Sequence, residues 1–127
     1  MAASRTPIIT THFADAAISK GMAVKGGTDA NHVAKGSANT SRVLGIAQVA
    51  VTAAEDAVEV ARVGGGAKAL LGETVIFGSY LVSHTDGTLV KANAAGDHVC
   101  AFALEGGVSG DLINVDVVCF EAYDAEA

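Results

Sequence analysis

The stretch Gly78 to Leu104, GSYLVSHTDGTLVKANAAGDHVCAFAL, reads as three short strands in succession. Ser79 to Ser83 is apolar and β-favouring, Thr85-Asp86-Gly87 is a tight turn whose glycine can take a positive φ, and Thr88 to Lys91 is the returning strand. A second turn lies at Asn93 to Gly96. Val99 to Ala103 follows as a run too continuous in apolar residues for a one-sided strand, so both of its faces are expected to be covered.

The first half of the chain repeats this stretch. Gly21 to Gly78 and Asp29 to Asp86 are each separated by 57 residues, Lys35 to Lys91 and Gly45 to Ala101 by 56, and Asp56 to Asp111 by 55. The slips fall mostly in turns, where insertions are tolerated. The repeat predicts two copies of one β-motif packed as a pseudo-symmetric pair in an all-β domain, a small barrel or tulip-like body. The copies are read as about residues 18–63 and 75–118 of a β-domain over 16–120, preceded by an extended N-terminal arm over 1–15 and followed by an acidic tail over 121–127.

At 127 residues the chain suits one domain with a modest core. Half of it is hydrophobic, yet it has no Trp, four Phe and two Tyr, so that fraction is largely alanine and valine. Fifteen glycines at turn spacing point to many short strands. A net charge of −6 argues against a nucleic-acid partner, which selects a basic face. No run approaches the roughly 20 apolar residues that span a bilayer, and no signal peptide is read, so a membrane partner is not expected and the chain is placed in a cytoplasm or in a particle assembled there.

Along the rest of the chain the strands expected are Met22 to Lys25, His32 to Lys35, Arg42 to Val49, Ala57 to Val63, Ala67 to Leu71 and Leu112 to Val118. Thr52 to Asp56 reads as a loop or a helical turn, and Glu73 to Phe77 as a turn or short helix. Arg62 is misplaced on the face of Val58 and Val60, and a bulge or an interface would account for it. Gly64-Gly65-Gly66 is a joint, not a phosphate loop, because no Gly-Lys-Ser/Thr follows it.

Candidate chemistry is sparse. His12, His32, His84 and His98 lack metal-ligand spacing, although His32 and His84 lie beside equivalent turns. Asp29 and Asp86 belong to hairpin turns. Cys100 and Cys119 sit in apolar strand contexts, as buried free thiols or as a disulfide, and His98 lies two residues from Cys100 on the same strand face. No catalytic residue, cofactor site or metal site is assigned, and no enzyme activity is expected. Arg5, Ile8, Ile9 and Phe13 lie outside the repeat and are the candidate contacts to a neighbouring subunit or surface.

The patterns Ala16 to Val24, Val43-Leu44-Gly45-Ile46-Ala47, Asp56 to Val60, Gly65 to Leu70, Gly72 to Lys91 and Gly110-Asp111-Leu112 resemble those of the small decoration, or cement, proteins of tailed-bacteriophage capsids, of the β-tulip type. The resemblance implies a non-enzymatic virion protein, a homotrimer that binds the major capsid protein on the outer face of the head and stabilises it. A lipoyl- or biotinyl-carrier-like domain is the alternative, with Lys35 or Lys91 as the lysine presented, although neither crowns a turn and the Met-Lys-Met signature is missing. A small-ligand-binding β-barrel is a third reading, with no residue in its favour.

Overall fold

The computed structural model describes residues 6–93 and 96–121. Ten strands account for its regular structure, and among the described residues there is no helix. The first five are β1 (Ile9–Ala14), β2 (Ala23–Gly26), β3 (His32–Lys35), β4 (Val43–Ala47) and β5 (Ala57–Arg62). They close a barrel in the order β1-β3-β2-β4-β5. Closure comes from β1, which pairs antiparallel with β5 from Ile9 opposite Ala61 to Phe13 opposite Ala57, and parallel with β3 at Phe13 opposite His32.

The second five are β6 (Gly66–Leu70), β7 (Tyr80–Ser83), β8 (Leu89–Lys91), β9 (His98–Ala103) and β10 (Leu112–Glu121), arranged as β6-β10-β9-β7-β8. Reading β1 as β6, β2 as β7, β3 as β8, β4 as β9 and β5 as β10 reproduces the circuit of the first unit. The expected duplication is therefore present. Its seam differs: the parallel contact of Ala14 with Val33 survives in the second unit only as an isolated bridge between Leu71 and Leu89.

Each copy is longer than the sequence suggests, because it includes a leading strand. The expectation of an arm over 1–15 is corrected for Ile9–Ala14, which is a barrel strand. Its backbone groups are engaged by β5 and β3, as buried backbone polar groups require. Glu121, expected in a tail, is the last residue of β10, and residues 122–127 lie outside the described residues. The segment from Glu73 to Phe77 is turn and bridge, with Val75 paired to Gly107.

Turn chemistry fixes the repeat. Gly21 and Gly78, 57 residues apart, both turn the chain into the second strand of their unit with φ of 87° and 88°, a conformation that strains any residue with a Cβ. At Gly87 (φ 86°) the hairpin is held by Asp86, whose Oδ1 accepts from Thr88 N (3.1 Å) and Thr88 Oγ1 (2.6 Å).

Three apolar clusters result. One fills the first barrel with Ala14, Ile18, Val24, Val33, Val58 and Val60. A smaller one, Val82, Ala92 and Val99, lies in the second unit with Tyr80, Val90 and Val118 packed against it. The largest lies between the units. There Ala23, Ile46 and Ala61, in register across the outer face of β2, β4 and β5, pack with Leu71, Leu81, Ala103, Val115 and Val117 of the second sheet. Each fully buried Ile, Leu or Val contributes about 1.5–3 kcal/mol, so this interface is a main stabilising contact of the domain. Backbone bonds stitch it, from Leu70 N to Gly21 O and from Ala23 N to Gly87 O, both 2.9 Å. The loop after β3 adds Asn39, whose Nδ2 donates to the buried Asp97 and whose carbonyl accepts from His98 N.

Candidate interaction surfaces

Strand β1 alternates, but with the polar residues inward. Thr10, His12 and Ala14 face the barrel, and Ile9, Thr11 and Phe13 face out. The inward polar residues meet Arg62, which stands at one end of the interior on the face of Val58 and Val60. Its Nε donates to Leu44 O (3.2 Å) and its Nη1 to Thr10 Oγ1 (3.4 Å), while Thr10 Oγ1 is hydrogen-bonded to His12 Nε2 (2.8 Å). Burial, with help from the Arg62 charge, lowers the pKa of His12. Arg62 thus follows regular strand alternation without a bulge, its position explained by these interior partners.

Over the outside of the seam lies His32. Its Nδ1 meets Asp29 Oδ1 at 2.8 Å and its Nε2 meets Glu55 Oε2 at 2.9 Å, and the ring lies 6.1 Å from that of Phe13. Both ring nitrogens face carboxylates, so the imidazolium is favoured. Hydrogen bonding to Asp29, then to Glu55, raises its pKa from 6.5 to about 9, and the same bond lowers the pKa of Asp29. Glu55 reaches His32 from a left-handed backbone (φ 71°), rare for a residue other than glycine. His32 is therefore a clasp between the loop before β5 and the start of β3. Its partners are thus Asp29, Glu55 and Phe13, whereas His84, beside the equivalent turn, has its backbone N donating to Thr88 O. No group of three His, Cys, Asp or Glu side chains among the described residues could hold a metal ion.

Cys100 is buried and free, donating to Leu81 O (3.6 Å), and burial pushes its pKa up to about 12. Cys119 is free and exposed, which corrects the expectation of a second buried thiol or a disulfide. His98 pairs with Cys119, Sγ to Nε2 3.4 Å, instead of Cys100, because Cys100 turns into the core. Lys35 and Lys91 are the last residues of β3 and β8, so neither is presented at a hairpin tip as a carrier lysine would be.

Of the candidate contact residues, Ile8 is 51% exposed, Ile9 39% and Phe13 44%. Arg5 lies outside the described residues. Ile9 and Phe13 are presented by the barrel wall and not by an arm. A second apolar surface escaped the sequence reading. On the outer face of the second sheet Phe102 packs against Tyr80 (centroids 5.3 Å) and Phe77 (6.4 Å, edge-on), and Tyr80 against Phe120 (5.2 Å, edge-on). Four of the six aromatic residues of the chain thus form one ridge at the surface. Beside it runs a groove lined by Val63, Val118, Cys119 and Phe120.

Fold and surface define an all-β protein of two like units, with apolar side chains offered outward from both. The sequence matches no protein-family model, and no curated protein matches it. Among solved structures the chain is similar to the head fiber gp8.5 N base in bacteriophage phi29, with a TM-score of 0.69 and 16% identity over 87% of this chain and 92% of that one. At that identity the likeness is one of fold.

Proposed function

We propose that the protein is a structural component of a tailed-phage head, a decoration or cement protein that binds the outer face of the capsid and stabilises it without catalysis. The observation that carries this reading is the fold likeness to a phage head fiber base over nearly the whole of both chains. The sequence resemblance to capsid decoration proteins supports it, and so does the exposure of Ile8, Ile9 and Phe13, which lie along the first barrel and await cover. In this reading the partner is the major capsid protein, the working form is a homotrimer on the assembled virion, built in the host cytoplasm, and Arg5 joins Ile8, Ile9 and Phe13 in contact with capsid or neighbouring protomer. Repetition over an icosahedral lattice multiplies a weak single contact into firm attachment.

The test is co-sedimentation of the purified protein with undecorated expanded capsids. Saturable occupancy is expected, with a higher temperature of capsid disruption once occupied. The Ile8→Asp and Phe13→Asp variants, placed on exposed positions, should retain the β circular dichroism spectrum and lose occupancy. Absence of binding by the wild-type chain refutes the reading, and undiminished binding by both variants removes these residues from the contact.

A further inference from the structure

The two units differ at the seam. In the first, Asp15 N donates to Val33 O, and the Asp15 carboxylate crosses to the turn between β2 and β3, accepting from Thr28 N (3.0 Å) and Thr28 Oγ1 (3.1 Å). In the second, the matching backbone bond runs from Gly72 N to Leu89 O, but Gly72 has no side chain to send across. A Cβ there would meet Thr88 Oγ1 at 2.4 Å and Val90 Cγ1 at 3.1 Å, so the close approach of the strands excludes one. Where Asp15 crosses in the first unit, the second has a cleft of about 410 Å³, a volume in the range of small-molecule sites.

Both units wall this cleft, and its walls are fixed. Asn39, in the loop after β3, and Asn93, in the turn after β8, are tied to one carboxylate. Asp97, 1% exposed, accepts from Asn39 Nδ2 and from Asn93 N (2.9 Å). Ser83 is likewise buried, its hydroxyl donating to His84 O (3.1 Å). Across the seam Glu73 Oε2 accepts from Lys91 N (2.7 Å). These bonds hold the frame and leave other polar groups of the lining unused. Among the described residues the His84 ring, the Asn93 side-chain amide, the Thr85 hydroxyl and Glu73 Oε1 have no hydrogen-bond partner. A site whose walls are already ordered loses less freedom when a ligand enters.

We propose that this cleft binds a neutral hexose unit. Glu73 and Lys91 line it with opposite charges, so neither an anion nor a cation is selected, and a net charge of −6 on the chain disfavours an anion further. A purely apolar ligand would strip water from the unused polar groups and return nothing. The lining instead combines a carboxylate that accepts, an amide and an imidazole that donate and accept, and the apolar side chains of Val82 and Val90. Sugar hydroxyls both donate and accept, and the C–H face of a pyranose ring is apolar, so one ligand satisfies both parts of the lining. The inference goes beyond the capsid reading and does not depend on it.

The test is a titration of the intact, isotope-labelled chain, without capsid, followed at its backbone amides by NMR. The probes are glucose, galactose, mannose and N-acetylglucosamine, each as the free sugar and as the methyl glycoside. Saturable shifts are expected at His84, Lys91 and Asn93 at millimolar sugar, and none at Phe102 or Phe120. Glycosides that bind as well as free sugars identify a unit linked in a chain, and binding of the free form alone identifies a soluble sugar. The His84→Ala and Glu73→Gln variants, on exposed side chains, should keep the wild-type spectrum and weaken binding about 3–10-fold each, the share of one hydrogen bond. Four results overturn the inference: no saturable shift with any of these sugars, shifts centred outside the cleft, undiminished binding by both variants, or cleft amides that respond to inorganic phosphate and not to sugar. None of these bears on capsid occupancy, which co-sedimentation decides separately.

Discussion

Replacing Ile46 by alanine tests whether the contact between the two units holds the domain together. Ile46 is 0% exposed on β4, between Ala23 on β2 and Ala61 on β5. Both neighbours are alanines in paired strands, too short to fill the space that three lost carbons would leave. A buried Ile→Ala change costs about 2–5 kcal/mol, the high end applying where the site cannot collapse. For a chain of this size each kcal/mol moves the melting midpoint by about 3–5 °C, so the drop should be roughly 10–20 °C. Thermal and guanidinium unfolding, followed by far-UV circular dichroism at a dilution where association adds nothing, would measure it. Ile46→Val should lose only about 0.5–1.5 kcal/mol, and Val108→Ser, at a position 54% exposed, should stay within about 0.5 kcal/mol. A loss below about 1 kcal/mol for Ile46→Ala would show that the two units do not depend on this contact, and would refute the reasoning from its burial.

The His32 clasp makes stability depend on pH in a defined direction. A folded pKa of about 9 against 6.5 unfolded means that its stabilisation is complete below about pH 6.5 and is lost as the pH rises through 9. The melting midpoint should fall over that window in the wild type and stay flat in His32→Gln, and a titration of the His32 ring near 6.5 by NMR would contradict it. Gly45 faces Arg62 across β5, and a Cβ there would collide with the carbonyl oxygen of Ala61 and with Val60. Gly45→Ala should therefore cost about 1–3 kcal/mol in chemical denaturation, whereas Gly26→Ala, with nothing within 4 Å, should be neutral or slightly stabilising. Deleting residues 1–5 should leave cooperative unfolding intact, and deleting through Phe13, which removes most of the strand that closes the barrel, should abolish it; a sharp melt in the longer deletion would show that β1 is dispensable.

Strand positions were legible where turn glycines and turn aspartates repeat at nearly constant spacing. His32–Lys35 falls where the sequence places it, and β2, β7 and β9 fall within a residue of their expected ends. Strand β1 was not legible, for a physical reason. Its inward residues are Thr10 and His12, made tolerable by Arg62, and its apolar residues Ile9 and Phe13 point out, so the expected sign of alternation is reversed. Its counterpart β6, Gly66–Leu70, shares almost no residue type with it, so the repeat could not reveal either strand as the start of a copy.

The outward aromatic ridge was hidden for a different reason. A repeat is found by aligning what is alike, and the ridge lies in what differs. Matching Gly45-Ile46-Ala47 to Ala101-Phe102-Ala103 places Ile46 and Phe102 at one position of one strand and leaves open that the first is covered and the second is not. Both faces of β9 were expected to be covered because its residues are apolar throughout; Cys100, Ala101 and Ala103 join the core between the units, Val99 is fully buried in a separate cluster with Val82 and Ala92, and Phe102, packed with its aromatic neighbours, is half-buried. An ordinary solvated sheet face carries polar residues, whereas two of the three positions in the row Tyr80, Phe102 and Asp116 hold rings, at the places where the first unit holds the side chains of its own buried contact. An apolar strand pattern therefore does not say how each face is covered, and comparison with the duplicate shows that Ile46 is covered by the second unit while Phe102 packs against Tyr80 and Phe77 and stays half-buried.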